Sequence, residues 1–200
     1  AVLEGTRIPT GNVLMTVENT CPRCAWVTNY LETVLCQIWY PCSVSTLSYQ
    51  ARQRILQYLE QSGDPALIDY KLHDFGFRGS TTSESAAIGG ASHLVNFKGT
   101  DTLAALVLLR DYYHEPCAGN SIPASEHSTI TSWGQEHEQD AYENMLRQYP
   151  DEMFACVSDS YDIGHAVSHI WGEALKEQVL ARNGTVVIRP DSGHPPTVVV

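Results

Sequence analysis

The sequence predicts an α/β fold built from parallel βα units, and two observations predict it. From about residue 70 onward, short β-branched or aromatic runs alternate with helical periodicities roughly every 25–35 residues, the pattern of right-handed βαβ crossovers and a parallel sheet, open or closed into a barrel. Each run also ends in a polar segment bearing Asp, His, Arg or Gly, and parallel sheets bind ligands where the carboxyl ends of their strands meet the loops. With 200 residues, 43% of them hydrophobic and 18% charged, the chain has the composition to bury a core.

Along the chain, residues 11–20 alternate Val13, Met15 and Val17, which predicts a half-buried strand. Residues 25–40 repeat apolar side chains at helical spacing, and Pro41 is expected to stop that helix. A second helix is expected over 47–61, with Leu47, Ala51, Ile55 and Leu59 on one stripe. The alternation then begins: strand 70–74, a small-residue helix 83–93, strand 94–97, and a helix 102–113 apolar nearly all round and hence expected to be buried. A weak strand 121–124, helix 134–148, strand 154–157, helix 163–182 broken at Gly172, and strand 185–189 complete it. The expected organisation is an N-terminal strand with two helices over 1–66, consecutive βα units over 67–193 and a tail over 194–200.

Charge and cysteine content narrow the function. Twelve Lys and Arg stand against 23 Asp and Glu, a net charge of −11, which argues against a nucleic-acid partner and against docking on an anionic membrane. No apolar run approaches the roughly 18 residues that span a bilayer, and Ala1-Val2-Leu3-Glu4 shows no secretory signal. A cytoplasmic protein is expected, and the missing initiator Met suggests a piece of a longer chain. Cys21-Pro-Arg-Cys24 is an isolated CxxC with no second ligand pair at zinc-site spacing. Metal binding and redox exchange are open to it, but reduced structural thiols are the expected reading.

The chemistry collects in five segments: residues 73–79 (HDFGFRG), 98–101 (KGTD), 125–129 (SEHST), 158–162 (SDSYD) and 189–193 (RPDSG). In a parallel α/β fold they are expected to converge on one mouth. Helix capping alone accounts for Asp or Ser at such junctions, and Asp101, Ser158, Thr81 and Ser192 are open to that reading. It does not account for Arg78 and Arg189 in a chain so poor in arginine, nor for Phe75 and Phe77 inside a turn. Two arginines, several carboxylates and an exposed ring suit a ligand that is anionic at one end and flat at the other.

The motifs LHDFGFRG, HLVNFKGTDT, IPASEHSTITSWG, CVSDSYDI and VIRPDSG, with the opening GNVLMTVENT, resemble the nicotinamide phosphoribosyltransferase family, in order from about Pro9 to Gly193. The resemblance implies a type II phosphoribosyltransferase α/β barrel, of which this chain would hold an incomplete part, and a homodimer with active sites at the subunit interface. It implies transfer of a 5-phosphoribosyl group from phosphoribosyl pyrophosphate to nicotinamide, with Mg2+ and optional ATP hydrolysis. Under it, Phe75 stacks on the pyridine ring, Asp101 accepts from the carboxamide NH₂ with Ser121 assisting, and Arg78 and Arg189 grip phosphate oxygens. Asp159 and Asp191 orient ribose hydroxyls and magnesium-bound waters, with no direct protein ligand to the metal. His127 is the histidine phosphorylated from ATP, its tautomer set by Glu126 or a nearby carboxylate.

Duller roles are expected for Asp74 (turn former), Asp162 (helix cap), the pair His165 and His169 (incidental surface) and Asn183-Gly184-Thr185 (a turn). The partner's upstream aromatic and the downstream glycine-rich phosphate turns of the family are not in this sequence, and Pro195-Pro196 departs from the helix expected there. Two rivals stand beside the enzyme: a non-catalytic relative that binds ligand or a full-length partner, and a nicotinate-using transferase.

Overall fold

A computed structural model describes residues 1–199. The chain forms two compact units, Ala1–Ser121 and Ile122–Val200. This cut differs from the one at residues 66/67, which marks where element type changes.

In the first unit, residues 11–20 form no strand. Of this stretch, Leu14 accepts a backbone bond from the Val2 N–H at 2.8 Å, and Val13 and Val17 are exposed. Alternation supplied one face of a strand, and the second requirement, a neighbour with which to pair, is missing. Helix α1 (Trp26–Cys36) ends at Gln37, and α2 runs without a break over Trp39–Ser62. Pro41 therefore opens a helix where it was expected to close one. It occupies the first turn of α2, where a missing N–H removes no intrahelical bond.

Helix α2 is tied to the last turn of α3 (Ser83–Leu94) and to the segment just beyond it. Ser48 Oγ pairs with His93 Nδ1 at 3.0 Å, Arg52 donates to the Asn96 carbonyl at 2.6 Å, and the Asn96 amide donates to the Ser45 carbonyl at 3.0 Å. Burial holds His93 below the usual imidazole range. Helix α3 starts with a reciprocal box between Thr82 and Ser85, so Thr82 does the capping considered for Thr81.

Strands β1 (His73–Asp74) and β2 (Gly99–Thr100) pair in parallel, His73 opposite Gly99 and Asp74 opposite Thr100, and a parallel bridge joins Gly99 to Asn120. Strand β1 is the end of the strand expected over 70–74, and β2 lies beyond the one expected over 94–97. Helix α3 extends through Leu94, and Phe97 turns inward to stack on His93 at 5.1 Å, so pairing begins only at Gly99. Helix α4 (Leu103–Tyr113) corrects a second expectation: only its Ala105 is buried, while Leu103 and Tyr112 are 70% and 79% exposed. It packs on α3, with Ala105 against Gly90, and leaves Leu106, Leu108 and Leu109 half-buried and Leu103, Val107 and Tyr112 exposed.

In the second unit, β3 (Phe154–Val157) is buried throughout and pairs in parallel with β4 (Val186–Arg189), with Ala124 bridged to Ala155 on the other side of β3. Helix α5 (His127–Thr131) and α6 (Glu138–Gln148) pack over them, α6 burying Ala141, Tyr142 and Leu146. The core stacks Tyr142 on Trp171 with centroids 4.9 Å apart, beside Phe154, Cys156 and Val157. The helix expected over 163–182 becomes α7 (Ile163–His165), a π-helix (Ala166–Ala174) and α8 (Lys176–Ala181). Its break falls at Leu175, whose N–H reaches back five residues to the Ile170 carbonyl at 2.8 Å, and Gly172 lies within the π segment. Helix α9 (Pro195–Val198) makes one turn despite its two prolines, which occupy positions that need no N–H donor. Both sheets are parallel, as the alternation requires. No helix among the described residues is long and apolar enough to cross a membrane.

Candidate active site

The predicted residues gather in two clusters, one inside each unit. In the first, Asp101 follows β2 and its backbone N–H bonds the Asp74 carbonyl at 3.0 Å. Its side chain does not cap α4. Oδ1 instead meets His73 Nε2 at 2.9 Å and accepts from the Ser121 hydroxyl. Phe75 and Phe77, Arg78 and Asp101 with Thr102 line a cavity of about 440 Å³. Phe75 is 49% exposed, and its ring lies 4.6 Å from that of His73. An aromatic plate, a guanidinium and a carboxylate thus share one concavity, with Asp101 held from behind by two side chains.

Asp74, read as a turn former, is one: Oδ1 accepts the Gly76 N–H at 2.8 Å, which shapes the turn carrying Phe75 to Arg78. His73 was given no role from sequence. The available signal was its position two residues before Phe75, which places both on one side of an extended segment.

In the second unit the centre is Asp159, at the end of β3, with a side chain only 4% exposed. Oδ1 meets His127 Nε2 at 3.0 Å, and Oδ2 accepts the Asp191 N–H at 2.8 Å and the Ser192 hydroxyl at 2.6 Å. Burial raises the Asp159 pKa, but these three donors outweigh it and hold the carboxyl below its usual range. His127 opens α5, 42% exposed, with Nδ1 facing Asp191 Oδ2 at 3.7 Å. Arg189 stands at the end of β4, 3.9 Å from Asp191 Oδ2 and 3.4 Å from the Ser125 carbonyl.

Asp159 is the carboxylate that meets a ring nitrogen of His127 at hydrogen-bond distance. Glu126 caps α5, its side chain accepting the Thr129 N–H while its own N–H donates to Thr129 Oγ1 at 2.9 Å. Ser192, considered as a helix cap, anchors Asp159 instead. Ser158 is no cap either: it is fully buried and accepts from the Trp171 indole at 3.0 Å. Asp162 does cap α7 through the His165 N–H. His165 and His169 are exposed, His169 pairing with Glu173 at 3.0 Å. All six cysteines are free thiols, and burial pushes Cys156 up to about 11.

Among the described residues no group of three or more His, Cys, Asp or Glu is arranged to hold a metal ion. Asp159 has both oxygens committed to protein donors, which leaves Asp191, 47% exposed, as the carboxylate able to accept from metal-bound water.

A family model described as the nicotinate phosphoribosyltransferase family matches residues 70–200. The chain is 55% identical over 203 residues to a nicotinamide phosphoribosyltransferase of Xanthomonas campestris, 32% over 211 residues to one of Acinetobacter baylyi and 33% over 199 residues to one of Mycoplasma pneumoniae. These alignments cover 100%, 100% and 98% of the chain but 43%, 41% and 42% of the relatives. The chain therefore spans less than half the length of the curated relatives it matches.

Proposed function

The chain belongs to the nicotinate phosphoribosyltransferase family, and we propose that it carries part of the active site of an enzyme that transfers a 5-phosphoribosyl group from phosphoribosyl pyrophosphate to nicotinamide. The products are nicotinamide mononucleotide and pyrophosphate, a step in NAD salvage. The observation that carries this choice is the Asp101 carboxylate, fixed by His73 and Ser121 beside the exposed Phe75 ring. An ionised carboxylate accepts a hydrogen bond from a carboxamide NH₂. The carboxylate of nicotinate offers no such donor and adds like-charge repulsion, so the amide is selected over the acid. Phe75 supplies the flat surface for the pyridine ring, and Arg78 and Arg189 grip phosphate or pyrophosphate oxygens.

In this reading the ring nitrogen attacks the anomeric carbon as pyrophosphate departs, and Asp191 supplies negative charge near the carbon that becomes cationic. Magnesium bound to the leaving pyrophosphate would neutralise its charge, with Asp191 accepting from a coordinated water. With Nε2–H of His127 directed to Asp159, Nδ1 keeps its lone pair, 3.7 Å from Asp191 Oδ2. It can attack the terminal phosphorus of ATP, releasing ADP and leaving a phosphohistidine that stimulates turnover. A type II barrel, of which these parallel units would form part, a homodimer with shared active sites and a cytoplasmic location belong to the same proposal, supported by the family motifs.

Steady-state kinetics of the full-length protein on both pyridines test it. Asp101→Ser is expected to lower the nicotinamide-to-nicotinate ratio of kcat/KM about tenfold or more, equivalent to about 1.4 kcal/mol or more of lost discrimination. An unchanged ratio removes Asp101 from the specificity assignment.

A further inference from the structure

The CxxC segment belongs to neither cluster, and its geometry gives it chemistry of its own. Cys21 precedes a short 3₁₀ turn, Pro22–Cys24, closed by the Cys24 N–H on the Cys21 carbonyl at 2.9 Å. A turn of this kind brings the Cα atoms of its first and fourth residues to within about 7 Å, overlapping the separation a disulfide needs. Pro22 fixes the backbone between the two thiols, and the Asn19 side chain anchors the Cys21 N–H at 2.8 Å, so the turn is held from both sides. Both cysteines are free thiols; Cys24 is exposed and Cys21 half-buried.

The two sulfurs differ. The surroundings of Cys21, the Arg23 backbone first, then the Arg23 side chain and Cys24, favour its thiolate over the opposing effect of burial and hold its thiol below the usual range. A stabilised thiolate beside a second thiol is the arrangement of an attacking sulfur and a resolving one. Two thiols also fall short of a four-ligand zinc shell.

We propose that Cys21 and Cys24 form a thiol–disulfide exchange site for low-molecular-weight disulfides of the glutathione class, with Cys21 attacking and Cys24 resolving. The Cys21 thiolate attacks one sulfur of oxidised glutathione, breaking its S–S bond, forming a mixed disulfide and expelling one glutathione thiolate. Cys24, losing its proton to solvent, attacks the Cys21 sulfur and expels the second. Two protein thiols are oxidised by two electrons to one disulfide as one glutathione disulfide is reduced to two thiols.

The test equilibrates the full-length protein in glutathione buffers of graded redox ratio, blocks remaining thiols with an alkylating agent and maps peptides by mass spectrometry. The peptide holding Cys21 and Cys24 is expected to lose both alkyl groups together with a single midpoint, while Cys36, Cys42 and Cys117 stay alkylated at the same ratios. Cys24→Ser is expected to accumulate a glutathione adduct on Cys21, and Cys21→Ser to slow adduct formation at Cys24 tenfold or more. A wild-type peptide that stays fully alkylated in the most oxidising buffer overturns the site. Equal adduct rates in the two variants overturn the assignment of roles.

Discussion

Asp159 shows how one side chain can be structural and chemical at once. Its two oxygens hold three donors: His127, the Asp191 N–H and the Ser192 hydroxyl. Those bonds depress its pKa against the opposing effect of burial. The carboxylate therefore contributes stability that is fully present above the unfolded value, near 3.9, and is lost as pH falls through the lower folded value. Asp159→Asn is expected to flatten the pH dependence of chemical-denaturation stability below about pH 4, and at pH 7 to cost about 1–3 kcal/mol through the donors left without an ionised acceptor. Under the proposed reading the same change lowers ATP-dependent phosphorylation of His127 by about 10²-fold or more, measured as acid-labile phosphate. Equal acid sensitivity of variant and wild type would remove Asp159 from this account. At this scale the segments that carry Asp101, His127, Asp159, Arg78 and Arg189 were legible in the sequence, because charged residues cluster where strands give way to loops; the roles proposed for them come from the family resemblance. His73 and Ser192 were not, because their roles lie in bonds to residues 28 and 33 positions away. For His127 the sequence offered Glu126 or a nearby carboxylate as the partner, and the fold brings Asp159 to the ring while Glu126 caps α5.

At the level of elements, position within a helix decides what a residue does. Pro41 sits in the first turn of α2, so Pro41→Ala is expected to change stability by less than about 1 kcal/mol, checked by thermal melting; a loss of several kcal/mol would show that Pro41 fixes the approach of α1 to α2. Gly90 in α3 is the opposite case. A Cβ there would lie 2.7 Å from the Ala105 Cβ and 3.1 Å from both Asp74 Oδ2 and Thr102 Cγ2. Gly90→Ala is expected to destabilise by about 1–3 kcal/mol through overpacking, read from denaturant midpoints, even though alanine favours helix. An increase in stability would mean that α4 yields. Helices α3 and α4 were readable to within a residue or two, since period and caps are local signals. Strand β1 fell within its expected span and β2 just beyond its own, because a short apolar run marks burial, and only hydrogen bonding to a neighbour fixes where pairing begins. The π-helix after α7 was read as a break at Gly172, since wider hydrogen bonding leaves no periodicity that a sequence displays.

Across the whole molecule, a net charge of −11 coexists with wide apolar exposure on α1 and α4, including Trp26, Tyr30, Val34, Leu103, Val107 and Tyr112. Large apolar side chains exposed on one element are the kind of surface that marks association. The 200-residue chain alone is expected to self-associate in light scattering, and Leu103→Lys with Val107→Lys to reduce that association without altering helix content. A monodisperse wild-type monomer would contradict this. The sequence by itself determined the parallel βα order, the family and the polar segments that end the strands, since periodicity, capping and motif order are written within a few tens of residues. Tertiary structure alone decided that residues 11–20 have no strand partner, that α4 buries only Ala105, that Asp101 turns from helix capping toward His73 and Ser121, and that Ser192 turns from capping toward Asp159. The physical reason is the same each time: burial, strand pairing and hydrogen-bond choice depend on which distant atoms arrive at 3 Å, and no local pattern specifies them.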